Sequence, residues 1–155
     1  MTERETNGDQ ILHGSLHSLR GEYEGVKEIY RTRRNEMPEA QVKMNVRSAG
    51  EKASIIDVHG ELTAFAEDEL MDAYNQASDG QVRAIILNFE DLEYMNSSGI
   101  GLLVTLLIRI NREKQQLLTY GLSDHYVEIF NITRLSDFMG IFPDEESAVE
   151  EASES

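Results

Sequence analysis

Two adjacent serines, Ser97 and Ser98, are the residues whose type and position could carry chemistry in this chain. Asn96 precedes them, and Gly99 and Gly101 follow. They stand between a strand-like segment and a long apolar helix-like segment, at the strand end where sites in α/β sheets usually form. Hydroxyls at a helix start either cap its free N–H groups or carry an anion that those groups and the helix dipole stabilise. A capping role alone would explain the start of the helix. Two adjacent serines next to glycines, which have no side chains, also form a site suited to reversible phosphorylation.

Outside this segment, one pair of histidines has a spacing that a metal could use, and no residues have the spacing of a catalytic site. The chain has no cysteine and four histidines, of which only His13 and His17 have a spacing that could share a metal. The Gly99-Ile100-Gly101 run lacks the third glycine of a dinucleotide fingerprint. Neither serine lies in a Gly-x-Ser-x-Gly elbow. We therefore expect no enzyme activity, no metal and no cofactor.

Composition limits the partners and the compartment. The 155 residues carry a formal net charge of −15, which argues against direct binding to nucleic acid or to anionic membranes. No apolar run approaches the roughly 20 residues of a membrane span. The first residues lack the apolar region of a signal peptide. These features predict a cytoplasmic protein with one domain plus an extension.

The elements that position the serines alternate between strands and helices. The pattern begins with a pair of strands that the short turn at Gly50 can join as a hairpin. Helices and strands alternate after it. Strands are predicted at residues 42–46, 53–59, 83–89 and 116–120, and helices at residues 64–77, 98–114, 123–130 and 144–152. Later strands joined through helices should be parallel. This order predicts an α/β fold with a mostly parallel four- to five-stranded sheet, an N-terminal hairpin, and helices packed against the sheet.

Residues 1–40 are predicted to be an extension, partly helical or disordered. Six apolar residues recur at spacings of three and four, which is typical of one helix face: Leu12, Leu16, Leu19, Tyr23, Val26 and Tyr30. Three glycines oppose a helix there. The stripe could dock on its own domain, on a partner, or on a second copy, which would make a homodimer through the extension. The domain is predicted to span residues 41–152, followed by a tail at 153–155.

The residues around the serines resemble a known family. Gly60-Glu61-Leu62, Ile85-Ile86-Leu87-Asn88-Phe89 and the run from Tyr94 to Leu103 are similar to the STAS domain of bacterial anti-sigma factor antagonists. The run from Val127 to Leu135 and the ending from Ile141 to Ala148 resemble it too. The resemblance covers about residues 41–152, and its Ser-Ser-Gly-Ile-Gly core is the most specific part.

The resemblance implies a mechanism for Ser97. An unmodified antagonist binds a GHKL-type serine kinase that is also an anti-sigma factor, and this frees the sigma factor. The kinase phosphorylates the serine matching Ser97, which releases the antagonist, and a PP2C-type phosphatase reverses the step. Ser98 is the secondary candidate for phosphorylation. The residues predicted to bind the partner are Glu61, Thr63, Asn96, Ser97, Ser98, Gly99, Ile100 and Gly101.

Two positions depart from the family pattern. The family has Asp before the phosphorylated serine, where this chain has Asn96, and often has Asp where this chain has Thr63. Asn96 keeps the shape of a cap but removes a charge beside Ser97. The alternative function is therefore an unphosphorylated STAS interaction subunit of a signalling scaffold or a transporter complex.

Overall fold

The computed structural model describes residues 24–25 and 41–154, and the fold below is that of Ala40–Ser155, one of two units into which the chain divides. Glu24 and Gly25 are helical. The other residues of the predicted extension, with His13, His17 and the proposed homodimer contact, lie outside the described residues.

The described domain alternates strands and helices as its sequence pattern predicts. The strands are β1 (Val42–Ser48), β2 (Ala53–Leu62), β3 (Ala84–Asn88), β4 (Leu92–Met95), β5 (Gln116–Tyr120) and β6 (Gly140–Phe142). The helices are α1 (Glu67–Ala77), α2 (Ser97–Arg112), α3 (Asp124–Ile132) and α4 (Glu145–Ser153), with short 3-10 turns at Ala64–Ala66 and Leu135–Asp137. No helix among these residues is long and apolar enough to cross a membrane.

The sheet brings the ends of β2 and β4 together. Its main order is β1-β2-β3-β5-β6, in which β1 and β2 are antiparallel and the remaining neighbours are parallel. β4 pairs in parallel with the last residues of β2, Gly60, Glu61 and Leu62, after a register shift between Gly60 and Glu61. Because α2 follows β4 directly, this pairing fixes where α2 begins.

Helices cover both faces of the sheet. On one face, α1, α2 and α3 pack on strand residues such as Ile56, Ile85 and Leu117. On the other face, α4 packs through Ala148 and Ala152 on a smaller cluster that includes residues of β2, β3 and β5. The alternation of the two clusters along each strand follows from the two-residue repeat of side-chain direction in a sheet. Strands with both faces covered explain the nearly continuous apolar run of β3.

The α/β fold, the opening hairpin and the parallel sheet are confirmed, whereas the strand count and some boundaries differ. The described sheet has six strands, because the short β4 pairs with an extension of β2 past residue 59 to Leu62. The helix predicted at 64–77 starts as a 3-10 turn, and its α-helical part begins at Glu67. The helix predicted from residue 98 begins at Ser97, because Asn96 is its cap.

Candidate functional site

Asn96 fixes the first turn of α2. Its backbone is extended, and its side-chain Oδ1 accepts a hydrogen bond from the Gly99 N–H at 2.9 Å. The Asn96 N–H donates to the Leu62 carbonyl at 3.3 Å, which ties the cap to the end of β2. The Ile100 N–H then donates to the Asn96 carbonyl at 3.0 Å as the first regular bond of the helix. A neutral amide therefore does the capping that this helix needs.

The two serines occupy the first two positions inside α2, and neither is the cap. Ser97 is exposed and Ser98 is half-buried. Neither hydroxyl hydrogen bonds to another residue in the described part of the chain. The N–H groups of a first helical turn have no partner within the helix, and the positive end of the helix dipole lies there. The Ser97 hydroxyl is thus free in an environment that favours a negative charge.

We call the segment from Asn96 to Gly101 the serine turn, and its two glycines have different surroundings. Gly99 is buried, and a Cβ added there would overlap the Leu62 carbonyl oxygen and lie 2.8 Å from the Leu62 carbonyl carbon. Gly101 is exposed, and a Cβ added there would meet nothing within 4 Å. The packing of α2 on β2 therefore requires glycine at position 99, whereas the described domain does not require it at position 101.

Glu61 and Thr63 lie at the end of β2, beside the start of α2. Glu61 is opposite Tyr94 in the pairing of β2 with β4, and its N–H donates to the Gln41 carbonyl at 2.7 Å. The Thr63 hydroxyl accepts a hydrogen bond from the Phe65 N–H at 3.3 Å and caps the 3-10 turn. Ile100 is half-buried and packs on the core. The fold thus places every predicted partner-binding residue at the carboxyl ends of β2 and β4.

A second polar cluster lies on the face of the sheet that α4 covers, and the sequence analysis did not identify it. Arg47 donates from Nε and Nη2 to the two carboxylate oxygens of Asp57, at 2.7 and 2.8 Å. Asn88 donates to Asp57 Oδ1 at 2.7 Å. Arg47 also donates to Glu145 Oε1 at 3.1 Å, and the Tyr120 hydroxyl donates to the same oxygen at 2.8 Å. The cluster therefore joins β1, β2, β3 and β5 to the first turn of α4.

The charges of this cluster stabilise one another. Hydrogen bonds from Arg47 hold the pKa of Asp57 below its ordinary value, and they do the same for Glu145. Burial raises the pKa of Tyr120 above its ordinary value, so the phenol remains a donor. One signal of this cluster is visible in the sequence: Asp57 interrupts the apolar run of β2 between Ile56 and Val58, and Asn88 ends the apolar strand β3. Only the strand register places them side by side. Because its groups are paired with one another, we interpret this cluster as a structural link.

The outer face of α2 carries exposed apolar residues that the sequence analysis also missed. The helix buries Leu102, Leu106 and Ile110 toward the sheet. Val104 is 39% exposed and Ile108 is 55% exposed. The sequence signal for these exposed residues is that the apolar residues of α2 extend beyond one helix face.

Comparison with known proteins identifies the class to which this fold and turn belong. The model of the STAS domain family matches residues 38–148. The chain therefore belongs to the STAS domain family. The anti-sigma-B factor antagonist of Staphylococcus aureus is 34% identical over 86 residues, which are 56% of this chain and 80% of that protein.

Solved structures agree on the fold. The anti-sigma factor antagonist SpoIIAA in its unphosphorylated form is 20% identical with a TM-score of 0.57, over 73% of this chain and 99% of that one. The phosphorylated form of the Bacillus cell fate determinant SpoIIAA is 24% identical with a TM-score of 0.56, over 70% of this chain and 98% of that one.

Proposed function

We propose that this protein is an anti-sigma factor antagonist regulated by phosphorylation of Ser97. Unmodified, it binds an anti-sigma factor that is also a GHKL-type serine kinase, and this frees the sigma factor. Phosphorylation releases it, and a PP2C-type phosphatase restores the binding form. The observation that carries the proposal is the exposed Ser97 hydroxyl, which is free at the first position of α2 because Asn96 supplies the cap.

Exposure favours Ser97 over Ser98 as the phosphorylated residue. A kinase must bring the hydroxyl into its own active site, and Ser97 is exposed whereas Ser98 is half-buried. Ser97 can be modified without loss of a hydrogen bond in the described domain. The free N–H groups and the dipole of the first turn would stabilise the attached phosphate. Ser98 remains the secondary candidate.

A phosphate on Ser97 would weaken a complex that buries this turn. It adds about −1.5 to −2 charges at neutral pH. No Lys or Arg occurs in residues 53–82 or 84–108, the segments that build the site, so those segments offer no neutralising side chain. In a complex the phosphate must either lose its water or lie near the nucleotide phosphates of the kinase. Either effect costs several kcal/mol, and each 1.4 kcal/mol lowers affinity about tenfold.

To test this, the purified wild-type chain is incubated with ATP and with the anti-sigma factor that co-purifies with it. Intact-mass analysis then counts the phosphoryl groups on the chain. We expect one phosphoryl group on the wild type, one on Ser98→Ala, and none on Ser97→Ala. Binding of Ser97→Ala to the anti-sigma factor should persist in the presence of ATP, whereas the wild type should be released. Unchanged labelling of Ser97→Ala would disprove the assignment.

The neutral Asn96 favours the second candidate, a STAS interaction subunit without a phosphorylation switch. The Asn96 side chain makes the same cap bond that an Asp would make, so the helix begins equally well with either residue. The replacement of the family's Asp by Asn96 therefore affects recognition by the partner more than the helix. The same assay separates the candidates. A stable complex whose wild-type chain stays unlabelled with ATP present would favour the interaction subunit.

A further inference from the structure

The hydroxyl of Tyr126 binds both backbone polar groups of Met95, the last residue of β4. The Met95 N–H donates to the Tyr126 hydroxyl oxygen at 2.8 Å, and the Tyr126 hydroxyl donates to the Met95 carbonyl at 3.4 Å. Tyr126 lies in the first turn of α3, where Ser123 caps the helix through the Tyr126 N–H. One side chain of α3 therefore holds the strand residue that directly precedes the Asn96 cap.

The short strand β4 depends on this contact because only one of its edges is paired. In the described sheet, β4 pairs with β2 alone. Backbone groups on the other edge of a strand must find water or a side chain. Met95 is only 4% exposed, so water has little access to it. A tyrosine hydroxyl can accept and donate at the same time, and here it takes the place that a neighbouring strand would have.

The serine turn is thus anchored to two neighbouring elements. The Asn96 N–H donates to the Leu62 carbonyl of β2 at 3.3 Å. The preceding residue, Met95, is held by Tyr126 of α3. Without this second anchor, the end of β4 could shift about its single line of pairing with β2, and Ser97 would shift with it. The place of the Ser97 hydroxyl therefore depends on a side chain of a different helix.

We propose that Tyr126 is a positioning residue for the phosphorylation of Ser97, through which it acts by fixing Met95. This inference rests on the proposed function and names the side chain that determines where the hydroxyl is presented. In the transfer, the Ser97 oxygen bonds to the γ-phosphorus of ATP, the bond to ADP breaks, and the hydroxyl proton passes to a base of the kinase. The attacking oxygen must lie in line with the bond that breaks. A misplacement of about 1 Å can slow such a reaction about a hundredfold.

The experiment measures the kinetics of Ser97 phosphorylation in Tyr126→Phe, with ATP and the anti-sigma factor that co-purifies with the wild-type chain. The substitution keeps the ring that packs on the core and removes only the hydroxyl. We expect kcat to fall about tenfold, because Ser97 is less often in line with the phosphate. KM should stay within about twofold, because the surface that the kinase binds keeps its side chains. In the free chain, the Met95 amide should exchange its hydrogen about tenfold faster by NMR.

The matched control is Tyr74→Phe, because it also removes one hydroxyl hydrogen bond. The Tyr74 hydroxyl donates to Gln115 Oε1 at 2.7 Å. Gln115 directly precedes β5, so this bond lies at the edge where the parallel strands begin, whereas the serine turn lies where β4 ends. Tyr74→Phe should lower the melting temperature at least as much as Tyr126→Phe does, because its hydroxyl is the more deeply buried. It should leave kcat and KM at their wild-type values.

Three results would overturn the inference and leave the proposed function standing. A wild-type kcat for Tyr126→Phe would show that the hydroxyl does not position Ser97. An equal loss of kcat in Tyr74→Phe would assign the effect to lower stability. A rise in KM at constant kcat would place the effect of the hydroxyl in binding. If the wild-type chain itself is not phosphorylated, the proposed function fails, and the role of Tyr126 fails with it.

Discussion

Asn96 and Ser97 divide two tasks between adjacent side chains. The amide of Asn96 makes the cap bond to Gly99, and the Ser97 hydroxyl makes none in the described domain. Sequence alone could not make this division, because asparagine and serine are both good caps and three such residues stand together. The extended backbone of Asn96 decides which of them is the cap.

At the residue scale, we predict that Asn96→Ala destabilises the protein and that Ser97→Ala does not. Loss of an N-cap costs about 1 kcal/mol. An exposed hydroxyl without a partner should contribute within about 0.5 kcal/mol. Urea unfolding followed by circular dichroism measures both. Equal destabilisation by the two substitutions would show that the Ser97 hydroxyl is structural.

At the scale of elements, α4 is linked to the sheet by charged and polar groups as well as by its alanines. Arg47 lies between Asp57 on β2 and Glu145 at the first turn of α4. Only 12% of the Asp57 side chain is exposed, so its carboxylate depends on Arg47 and Asn88 for partners. A carboxylate in that position stabilises the fold only while it is ionised and paired.

We predict that acid weakens this link. The pKa values of Asp57 and Glu145 are lowered in the folded protein, from ordinary values of 3.8 and 4.5. A carboxyl with a lowered folded-state pKa stabilises the fold above its unfolded pKa, and this contribution is lost as the pH falls through the folded-state pKa. The free energy of unfolding should therefore decline below about pH 4.5.

The variant Arg47→Met isolates the contribution of the link. It leaves the Asp57 carboxylate without its charged partner and should cost about 1–3 kcal/mol at pH 7. The difference from wild type should shrink in acid, as Asp57 becomes protonated in both proteins. Arg134→Met is the control, because Arg134 pairs with Asp137 on the surface, where ion pairs contribute little. A difference from wild type that is independent of pH would contradict this account.

Sequence predicted most elements and missed those that depend on contacts between distant segments. β5 is observed at the residues predicted for it. β4 was missed because only four residues form it, and two of them, Glu93 and Tyr94, are exposed. Its strand geometry comes from pairing with β2 beyond the bulge at Gly60. The eight predicted partner-binding residues come from the resemblance at the end of β2 and around the serines. The exposure of Val104 and Ile108 became visible only once the buried face of α2 was known.

At the scale of the whole molecule, charge governs how a partner arrives. A net charge of −15 attracts a basic partner over long distances in low salt, and a phosphate changes this total by only about two. Short-range packing and loss of water where the partner covers Ser97 should govern how long the complex lasts. Salt and phosphorylation should therefore act on different rate constants.

We predict that the association rate with the anti-sigma factor falls about tenfold or more between about 20 and 200 mM NaCl, because ions screen the attraction. The dissociation rate should change little with salt. The variant Ser97→Glu should do the opposite, with faster dissociation and a nearly unchanged association rate. Stopped-flow fluorescence with a labelled anti-sigma factor measures both constants. An association rate that is insensitive to salt would mean that the partner surface is not basic.

The close fit of Gly99 against Leu62 also bears on the entropy of binding. Together with the Asn96 cap, it holds the first turn of α2 in one conformation before any partner arrives. A surface that is already ordered loses little conformational freedom when a partner covers it. Most of the unfavourable conformational entropy of binding measured by calorimetry should therefore come from ordering of the partner. A side chain at position 99 would push α2 away from Leu62 and loosen this turn, so Gly99, which is buried, would act on the partner by ordering the turn.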